Sequence, residues 1–255
     1  MKFLDFLVGK YPEEPRERLF SAVLCGDFKV NGGVLRDPKA EIAKTAAVER
    51  SGERYVSRGA LKLERALDLW LLPVADRVFI DAGASTGGFT DVLLRRKAAL
   101  VYAVDVGFNQ LAFSLRTDPR TVVMEKTNIL SLTAESFPRR PHAAVADISF
   151  RSIIEPAQHL FRLISGDEAV VLLKPQFEWK NPPPRFDGVV RETADLKAIV
   201  KDFFAEAAAA ELFIKALALS PVKGSKGNTE FLLLLHRTEG LADPYAAAEL
   251  LIGAD

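Results

Sequence analysis

The chain has 255 residues, of which 49% are hydrophobic and 27% are charged, so it is long and apolar enough to bury a sizeable core. Its formal net charge is zero, and a nucleic-acid partner would therefore have to bind a local basic patch. Cys25 is the single cysteine, which excludes an internal disulfide bond and a cysteine-rich metal site. Asp5 interrupts the first apolar residues, and the later apolar runs are too short to span a membrane, so we expect a cytoplasmic protein.

Residues 1–50 are predicted to form a small α+β module. Its expected elements are helices at residues 2–8 and 16–24 and a β-hairpin at residues 28–35. Pro15 suits the first turn of the second helix, and Asn31-Gly32 predicts the tight turn of the hairpin. This order of elements is compatible with an RNA-docking module or with a generic helical-hairpin adaptor.

The module resembles the αL RNA-binding motif, which is found in a small-subunit ribosomal protein and in several RNA-modifying enzymes. The resemblance is carried by Leu4-Asp5, Arg16, Gly26 and Val30-Asn31-Gly32. The segment from Pro12 to Pro15 departs from the Ser-Arg pair that usually opens the second helix. The resemblance implies that RNA is contacted by Arg16, Lys29 and Asn31.

A polar stretch, residues 38–56, has no clear periodicity and predicts a linker, which we place at residues 51–60. A second domain is then expected over residues 61–255. It begins with a helix whose apolar positions keep helical spacing, namely Leu61, Ala66, Leu69 and Trp70. Lys62 and Arg65 fall on a different face, where a lysine is more often solvated than catalytic.

From residue 77 onward the pattern alternates between strand and helix, which is typical of a doubly wound parallel sheet. The predicted strands cover residues 78–81, 100–105, 121–125, 143–147, 169–173, 213–219 and 230–236. The predicted helices between them cover residues 88–97, 109–116, 153–164 and 193–210. The last two strands have no helix between them and should form an antiparallel hairpin. The predicted fold is therefore α/β, a Rossmann-like seven-stranded sheet with its last strand antiparallel, which is the layout of S-adenosylmethionine methyltransferases and not of dinucleotide dehydrogenases.

A glycine-rich turn follows the first of these strands, from Asp81 to Thr90. Glycine allows the backbone to approach a ligand closely, and the first amides of the following helix remain unpaired. The spacing differs from the Gly-x-Gly-x-x-Gly fingerprint of nicotinamide binding, and a carboxylate at Asp81 suits the cationic groups of S-adenosylmethionine better than a pyrophosphate. Asp105 suits ribose hydroxyls in either class of cofactor. The expected cofactor-binding residues are Asp81, Gly83, Ser85, Thr86, Gly87, Gly88, Asp105 and Asn128.

Four charged residues are expected near the carboxyl ends of the strands, where doubly wound sheets place their binding sites. Asp147 and Lys174 end the fourth and fifth strands. Glu230 opens the last strand, and Lys62 lies on the helix that leads into the first. Strand-end charges often only meet solvent, so their position alone assigns no role.

Six motifs around these positions resemble the TlyA (hemolysin A) family of FtsJ-like ribosomal RNA methyltransferases. They are Ser57-Arg-Gly-Ala-Leu-Lys-Leu, Asp81-Ala-Gly-Ala-Ser-Thr-Gly-Gly-Phe-Thr-Asp, Asp147-Ile-Ser-Phe, Leu173-Lys-Pro-Gln-Phe-Glu, Gly188-Val-Val-Arg and Ser220-Pro-Val-Lys-Gly-Ser-Lys-Gly-Asn-Thr-Glu-Phe. The resemblance implies methyl transfer from S-adenosylmethionine to the ribose 2′-hydroxyl of cytidine in the ribosomal RNA of ribosomal subunits. It places a catalytic tetrad at Lys62, Asp147, Lys174 and Glu230, and further RNA contacts at Arg58 and Arg65.

Two questions stay open at this point. Lys174 could withdraw the proton of the hydroxyl or stabilise charge on its oxygen, because the neighbouring cation and anions act on a lysine in opposite directions. A lid is predicted over residues 175–189, and its aromatic side chains could stack on a flipped base or pack the lid down. These side chains are Phe177, Trp179 and Phe186.

Other acceptors and a lytic function fit the sequence less well. Methylation at carbon 5 of a pyrimidine needs a cysteine nucleophile, and Cys25 lies in the first module. Methylation of a base amino group usually uses an Asn/Asp-Pro-Pro-aromatic turn, whereas the motif at Asp147 contains no proline. A small-molecule acceptor would leave the first module without a role. A membrane-lytic protein would need a spanning segment, barrel strands or a strongly amphipathic exposed helix, of which the sequence gives no sign.

Overall fold

The first fifty residues form two helices and a three-stranded sheet. The computed structural model describes residues 1–50, 55–224 and 226–253, so residues 51–54 of the predicted linker and Ser225 lie outside the described part. The elements are α1 (Phe3–Lys10), α2 (Arg16–Cys25), β1 (Phe28–Val30), β2 (Gly33–Val34) and β3 (Val48–Arg50), and the strand order is β2-β1-β3. Asn31 and Gly32 have φ angles of 51° and 83°, so the predicted tight turn of the hairpin is confirmed.

An apolar cluster of its own holds these elements together. Its buried members are Phe3, Leu4, Leu7, Leu19, Ala22, Val23, Phe28 and Val48. The rings of Phe3 and Phe28 meet edge to face with their centroids 6.0 Å apart. The linker predicted over residues 38–56 is wrong in part, because β3 pairs with β1 in an antiparallel register. Two of the three residues of β3 are charged, so the segment has no strand periodicity that the sequence could reveal.

A seven-stranded sheet forms the larger part of the chain. Its strands are β4 (Val78–Ala82), β5 (Leu100–Val104), β6 (Thr121–Met124), β7 (Ala143–Ala146), β8 (Glu168–Leu173), β9 (Phe213–Leu219) and β10 (Phe231–His236). The strand order is β6-β5-β4-β7-β8-β10-β9. Strands β4 to β8 pair in parallel, and β10 runs antiparallel to both β8 and β9. The predicted fold class and the reversed last strand are confirmed.

Helices cover both faces of this sheet. They are α3 (Ala60–Trp70), α4 (Gly88–Arg95), α5 (Phe113–Arg116), α6 (Ile154–Leu163), α7 (Pro175–Glu178), α8 (Thr193–Ala209) and α9 (Pro244–Gly253), with 3-10 turns at Ile129–Ser131 and Ala134–Ser136. Alternate residues of β4 face opposite layers: Ile80 packs in the layer of α6, α8 and α9, and Phe79 packs in the layer of α3 and α4. Within the described ranges, no helix has the length and apolar character needed to cross a membrane.

The buried face of α3 differs from the predicted one. Lys62 and Leu63 are buried, whereas Leu69 is 43% exposed. Lys62 therefore lies on the buried side of α3, together with Ala66, and not on a face apart from the apolar residues. A pattern based on apolar residues cannot identify a lysine that is buried because carboxylates pair with its ammonium group.

Three other elements depart from the prediction. Of the helix predicted at residues 109–116, only the last four residues form a helix, α5. The backbone amides of residues 109 to 111 donate to the Glu125 carboxylate and not to helical carbonyls. Pro175 begins α7 at its first turn and does not end regular structure. Helix α9 was not predicted from the sequence.

Candidate active site

The glycine-rich turn lies between β4 and α4, as the sequence predicts. Gly83 and Gly87 have φ angles of 80° and 96°, a region that side chains other than glycine rarely adopt. A Cβ atom on Gly83 would lie 2.7 Å from the carbonyl oxygen of Asp147, so this close approach of two strand ends requires glycine. The turn therefore brings the backbone of β4 directly beside the residue that follows β7.

Asp81 is fully buried at the end of β4 and lines a cavity of about 190 Å³. Its Oδ2 accepts a hydrogen bond of 2.7 Å from the hydroxyl of Thr90, in the first turn of α4. Its Oδ1 is buried without a hydrogen-bond partner among the described residues. Burial raises the pKa of Asp81 to about 7, although the hydrogen bonds from Thr90 act to lower it. A buried carboxylate oxygen without a partner is costly, and a cationic or donor group of a ligand would satisfy it.

Asp105 follows β5 and lines a second, larger cavity of about 390 Å³. The backbone amides of Ser85 and Gly107 donate to its two carboxylate oxygens at 2.8 and 2.7 Å. Asn128 lines the same cavity, and its Oδ1 accepts the amide of Leu130 at 3.1 Å. Gly83, Ser85 and Asp147 belong to the lining of both cavities, so the two spaces adjoin at the glycine-rich turn. All the residues predicted to bind cofactor except Gly87 line one or both cavities.

The four charged residues that the sequence singled out meet in one row. The ammonium Nζ of Lys62 lies 2.7 Å from Glu230 Oε2 and 3.2 Å from Asp147 Oδ2. The Nζ of Lys174 lies 2.6 Å from Asp147 Oδ1. The charges therefore alternate in the order Glu230, Lys62, Asp147, Lys174, and each buried charge has an opposite neighbour. Such pairing is required for ionised groups in a low-dielectric interior.

Burial acts to raise the pKa of the Asp147 carboxyl group. The positive charges and hydrogen bonds of Lys62 and Lys174 outweigh that effect and hold the pKa below its ordinary value. Asp147 therefore stays ionised near neutral pH and keeps both ammonium groups in place.

The reversed last strand explains how Glu230 reaches this row. Asp147 and Lys174 follow parallel strands, so both lie at the carboxyl edge of the sheet. Because β10 is antiparallel, its first residue pairs with the last residue of β8: Phe231 lies opposite Leu173. Glu230 therefore stands at the same edge as Lys174. Helix α3 supplies the fourth member from the layer that covers one face of the sheet.

Ser149 and Phe150 take part in the site but were not singled out as site residues. Ser149 Oγ accepts a hydrogen bond of 2.8 Å from Lys174 and lines both cavities. Phe150 is 90% exposed with a φ angle of 66°, and its ring lies 5.3 Å from that of Phe177. Both residues belong to the Asp147-Ile-Ser-Phe motif, and their position directly after a strand end could have identified them as site residues.

The segment predicted as a lid is anchored to the loop that precedes Glu230. The side-chain amide of Asn228 donates to Gly188 O at 2.7 Å and accepts from Val190 N at 2.8 Å. Within the lid, Trp179 and Phe186 pack edge to face with ring centroids 5.1 Å apart. For this aromatic pair, the contact fits the alternative in which the side chains pack the lid down.

The residues predicted to contact RNA occupy different settings. Arg16 forms an ion pair of 2.8 Å with Asp5, and Asn31 Oδ1 accepts the amide of Ala47 at 3.1 Å, which gives Asn31 a structural part in the hairpin. Lys29 is exposed on β1, and Arg65 is exposed on α3. Arg58 is half-buried between Ser57 and Gly59, both of which line the smaller cavity. Their contacts with RNA stay a prediction.

Comparison with known proteins is consistent with this geometry. The family model of the FtsJ-like methyltransferases matches residues 55–237. The 16S/23S rRNA (cytidine-2′-O)-methyltransferase TlyA of Mycobacterium tuberculosis is 39% identical over 233 residues, covering 90% of this chain and 87% of that protein. Hemolysin A of Brachyspira hyodysenteriae is 36% identical over 235 residues, covering 91% of this chain and 98% of that protein.

Solved structures agree on the fold. One from Streptococcus thermophilus, provisionally assigned as a hemolysin, is 35% identical, covers 100% of this chain and 94% of that chain, and has a TM-score of 0.74. One from Listeria monocytogenes, provisionally assigned as an S-adenosylmethionine dependent methyltransferase, is 10% identical over 71% of this chain and all of that one, with a TM-score of 0.51, and shares the fold alone. The matching family model and the two relatives lead to one assignment: the chain belongs to the FtsJ-like methyltransferases, a family of S-adenosylmethionine-dependent enzymes.

Proposed function

We propose that this protein transfers a methyl group from S-adenosylmethionine to the ribose 2′-hydroxyl of cytidine in ribosomal RNA. The observation that carries the proposal is the alternating row of Glu230, Lys62, Asp147 and Lys174 at the edge of the smaller cavity. A hydroxyl acceptor needs a group that withdraws its proton or polarises its oxygen, which such charged side chains can supply, and it needs no covalent nucleophile. The activity that gives the Mycobacterium tuberculosis relative its name supports cytidine in ribosomal RNA as the substrate.

The residues around the two cavities fit S-adenosylmethionine. Asp81 offers a buried carboxylate oxygen that has no partner among the described residues, which suits the cationic amino acid end of the cofactor. Gly83 keeps the turn open for a close backbone approach, and Asp105 offers a carboxylate for ribose hydroxyls on the wall of the larger cavity. When bound, S-adenosylmethionine supplies an electrophilic methyl group on a positively charged sulfur.

We assign Lys174 to the acceptor oxygen. Of the four charged residues, Asp147 and Lys174 line the smaller cavity, which also borders the glycine-rich turn. A ribose hydroxyl is a poor nucleophile until its proton is withdrawn or its oxygen is polarised, and the proton must leave as the new carbon–oxygen bond forms. The Nζ of Lys174 is held by Asp147 Oδ1 and Ser149 Oγ, so its position is fixed before the acceptor arrives.

Lys62 and Glu230 have a supporting role in this proposal. Lys62 holds the second oxygen of Asp147, and Glu230 balances the charge of Lys62. Without Lys62, two buried carboxylates would face each other with one ammonium group fewer, which would disturb the position of Asp147 and thus of Lys174. The row therefore acts as a unit.

The first module and the partner belong to the same proposal. Residues 1–50 dock the enzyme on ribosomal RNA within a ribosomal subunit, and Lys29, Arg58 and Arg65 contribute positive charge to that contact. The enzyme would then act in the cytoplasm, where ribosomal subunits are present.

The first prediction concerns Lys174. We expect Lys174→Ala to bind cofactor normally and to lose methyl transfer by at least about 10²-fold, the usual contribution of a positioned acid or base. The measurement is transfer of label from labelled S-adenosylmethionine to unmethylated ribosomal subunits, followed by digestion and analysis of the nucleosides.

Lys201→Ala serves as the control, since Lys201 is exposed on α8. It should transfer label to the 2′-oxygen of cytidine at the wild-type rate. Label on a base instead of the ribose, or undiminished transfer by Lys174→Ala, would refute the proposed function.

A further inference from the structure

A carboxylate outside the charged row holds the loop that forms one wall of the larger cavity. Glu125 directly follows β6, and its side chain is 8% exposed. Its Oε2 accepts the backbone amide of Asn109 at 2.8 Å, and its Oε1 accepts those of Gln110 and Leu111 at 2.9 and 3.2 Å. The guanidinium of Arg116 donates to Oε1 at 2.6 Å. One side chain thus fixes three successive peptide groups.

The segment that Glu125 holds reaches the candidate cofactor site at several points. Val106, Gly107 and Gln110 line the larger cavity together with Asp105. The amide of Ala112 donates to the carbonyl oxygen of Thr86 at 3.2 Å, which joins the end of the segment to the glycine-rich turn. Residues 105–112 therefore form one segment that contributes four residues to the wall of the cavity, and the position of this segment depends on the side chain that binds its backbone amides.

Only an ionised carboxylate can satisfy this set of donors. Three amides and a guanidinium all donate to Glu125, and a carboxylate accepts hydrogen bonds on both oxygens. Partial burial acts to raise the pKa of Glu125, but the amides and Arg116 outweigh it and lower the pKa to about 2. A glutamine would offer one acceptor and turn its NH₂ group toward an N–H donor. The charge of Glu125 is therefore present throughout the pH range in which the protein would be assayed.

We propose that Glu125 is a positioning residue that sets the affinity of the enzyme for its cofactor by holding residues 105–112 against the larger cavity. The inference rests on the proposed function insofar as the ligand of that cavity is S-adenosylmethionine. Glu125 itself does not line the cavity among the described residues, so its effect on the ligand passes through the backbone of the loop.

The test compares Glu125→Gln with Asp118→Asn, a matched change at the other end of the same strand. Asp118 precedes β6, accepts the backbone amide of Arg120 at 2.8 Å and pairs with the Arg120 guanidinium, but it lines neither cavity among the described residues. Both substitutions remove one negative charge and replace one carboxylate oxygen by an NH₂ group in a side chain that accepts from backbone amides and a guanidinium. They differ in whether the braced segment forms a wall of the cavity.

We expect Glu125→Gln to raise the Kd for S-adenosylhomocysteine about tenfold or more, because at least one charge-assisted hydrogen bond is lost. In the full-length enzyme, KM for S-adenosylmethionine should rise in parallel, while kcat at saturating cofactor stays near the wild-type value. Asp118→Asn should leave both constants unchanged. Titration calorimetry measures the Kd, and hydrogen exchange of the peptide covering residues 105–112 should be faster only in Glu125→Gln.

The outcomes separate this inference from the proposed function. A wild-type Kd and unchanged hydrogen exchange in Glu125→Gln would overturn the positioning role, whatever acceptor the enzyme uses. An equal rise in Kd for Asp118→Asn would also overturn it, because general destabilisation would then explain the result. Transfer of the methyl group to a base would refute the proposed acceptor and leave the role of Glu125 standing.

Discussion

Asp81 combines two properties that rarely occur together in one residue of a stable core. Its carboxylate is fully buried, yet only one of its oxygens has a hydrogen-bond partner among the described residues. Leaving a buried polar atom unpaired costs roughly 1–3 kcal/mol. A protein retains such a group where a ligand completes the pairing, and the position of Asp81 on the wall of the smaller cavity agrees with that explanation.

The raised pKa of Asp81 predicts how the stability of the ligand-free protein depends on pH. The folded pKa is about 7 and the ordinary value is 3.8, so between these values the folded state holds a proton that the unfolded state has released. The stabilising effect of this proton is fully present below the unfolded pKa and is lost as the pH rises through the folded pKa. We therefore expect the free energy of unfolding of the wild-type protein to fall, relative to Asp81→Asn, as the pH rises toward about 7.

Denaturant titrations of both proteins at several pH values between about 5 and about 8 measure this difference. Asp81→Asn keeps an oxygen that can accept from Thr90 but has no titrating group, so the subtraction isolates Asp81. A difference in unfolding free energy that stays constant over this range would contradict the assignment of the raised pKa to Asp81.

At the scale of single residues, the sequence predicted which charges matter but not how they are buried. Lys174 and Asp147 were identifiable because both directly follow short apolar runs. The helical pattern placed Lys62 apart from the apolar residues of α3, because such a pattern does not record a buried lysine, and only the family resemblance gave Lys62 a role. Glu125 was missed altogether, because its partners are backbone amides sixteen to fourteen residues earlier, which no side-chain pattern records.

At the scale of elements, strands of the large sheet were predicted with bounds within one residue of the observed ones. Parallel strands buried on both faces read as short continuous apolar runs bounded by turns, and this signal is local. Strand β3 and helix α5 were not predicted correctly, because both depend on residues that are distant in the sequence. The first exists only through pairing with β1, and the second is shortened by the carboxylate of a distant glutamate.

The anchoring of the lid yields a prediction about an element. Asn228 binds the backbone where the lid ends, donating to Gly188 within the lid and accepting from Val190 directly after it. We expect Asn228→Ala to release this segment, so that trypsin cleaves after Arg185 faster, and to lower methyl transfer about tenfold, in line with the loss of one or two buried hydrogen bonds. The Kd for S-adenosylhomocysteine should stay unchanged, because Asn228 lines neither cavity among the described residues.

The control for this experiment is Asn181→Ala, which removes an exposed amide from the lid itself. Proteolysis and transfer should match the wild type in that variant. If Asn228→Ala resists trypsin as well as the wild type does, the lid is held by its other contacts, such as the ion pair of Lys180 with Glu206, and the anchoring role is disproved.

At the scale of the whole molecule, the balance of charge decides how RNA can be bound. The net charge is zero, so long-range attraction to a polyanion is weak and a few local cations must supply the contact. In the first module, the predicted RNA contacts differ in how much of their positive charge RNA could use. Arg16 is already paired with Asp5, whereas Lys29 is exposed on the central strand of the small sheet, where its backbone is fixed on both sides.

The last prediction follows from this contrast and concerns Lys29→Ala. Each lysine that neutralises a phosphate releases a condensed counterion on binding, so the affinity for RNA depends on salt in proportion to the number of such contacts. We expect Lys29→Ala to weaken binding to ribosomal subunits and to reduce the slope of log K against log salt by about one. Arg16→Ala should change the slope less, because the free enzyme already uses that charge in an ion pair. Binding isotherms at several salt concentrations measure the slopes, with Lys201→Ala on α8 as the control. An unchanged slope for Lys29→Ala would exclude this lysine from the RNA contact. Equal losses in Lys29→Ala and Lys201→Ala would show that the docking surface is not confined to the first module.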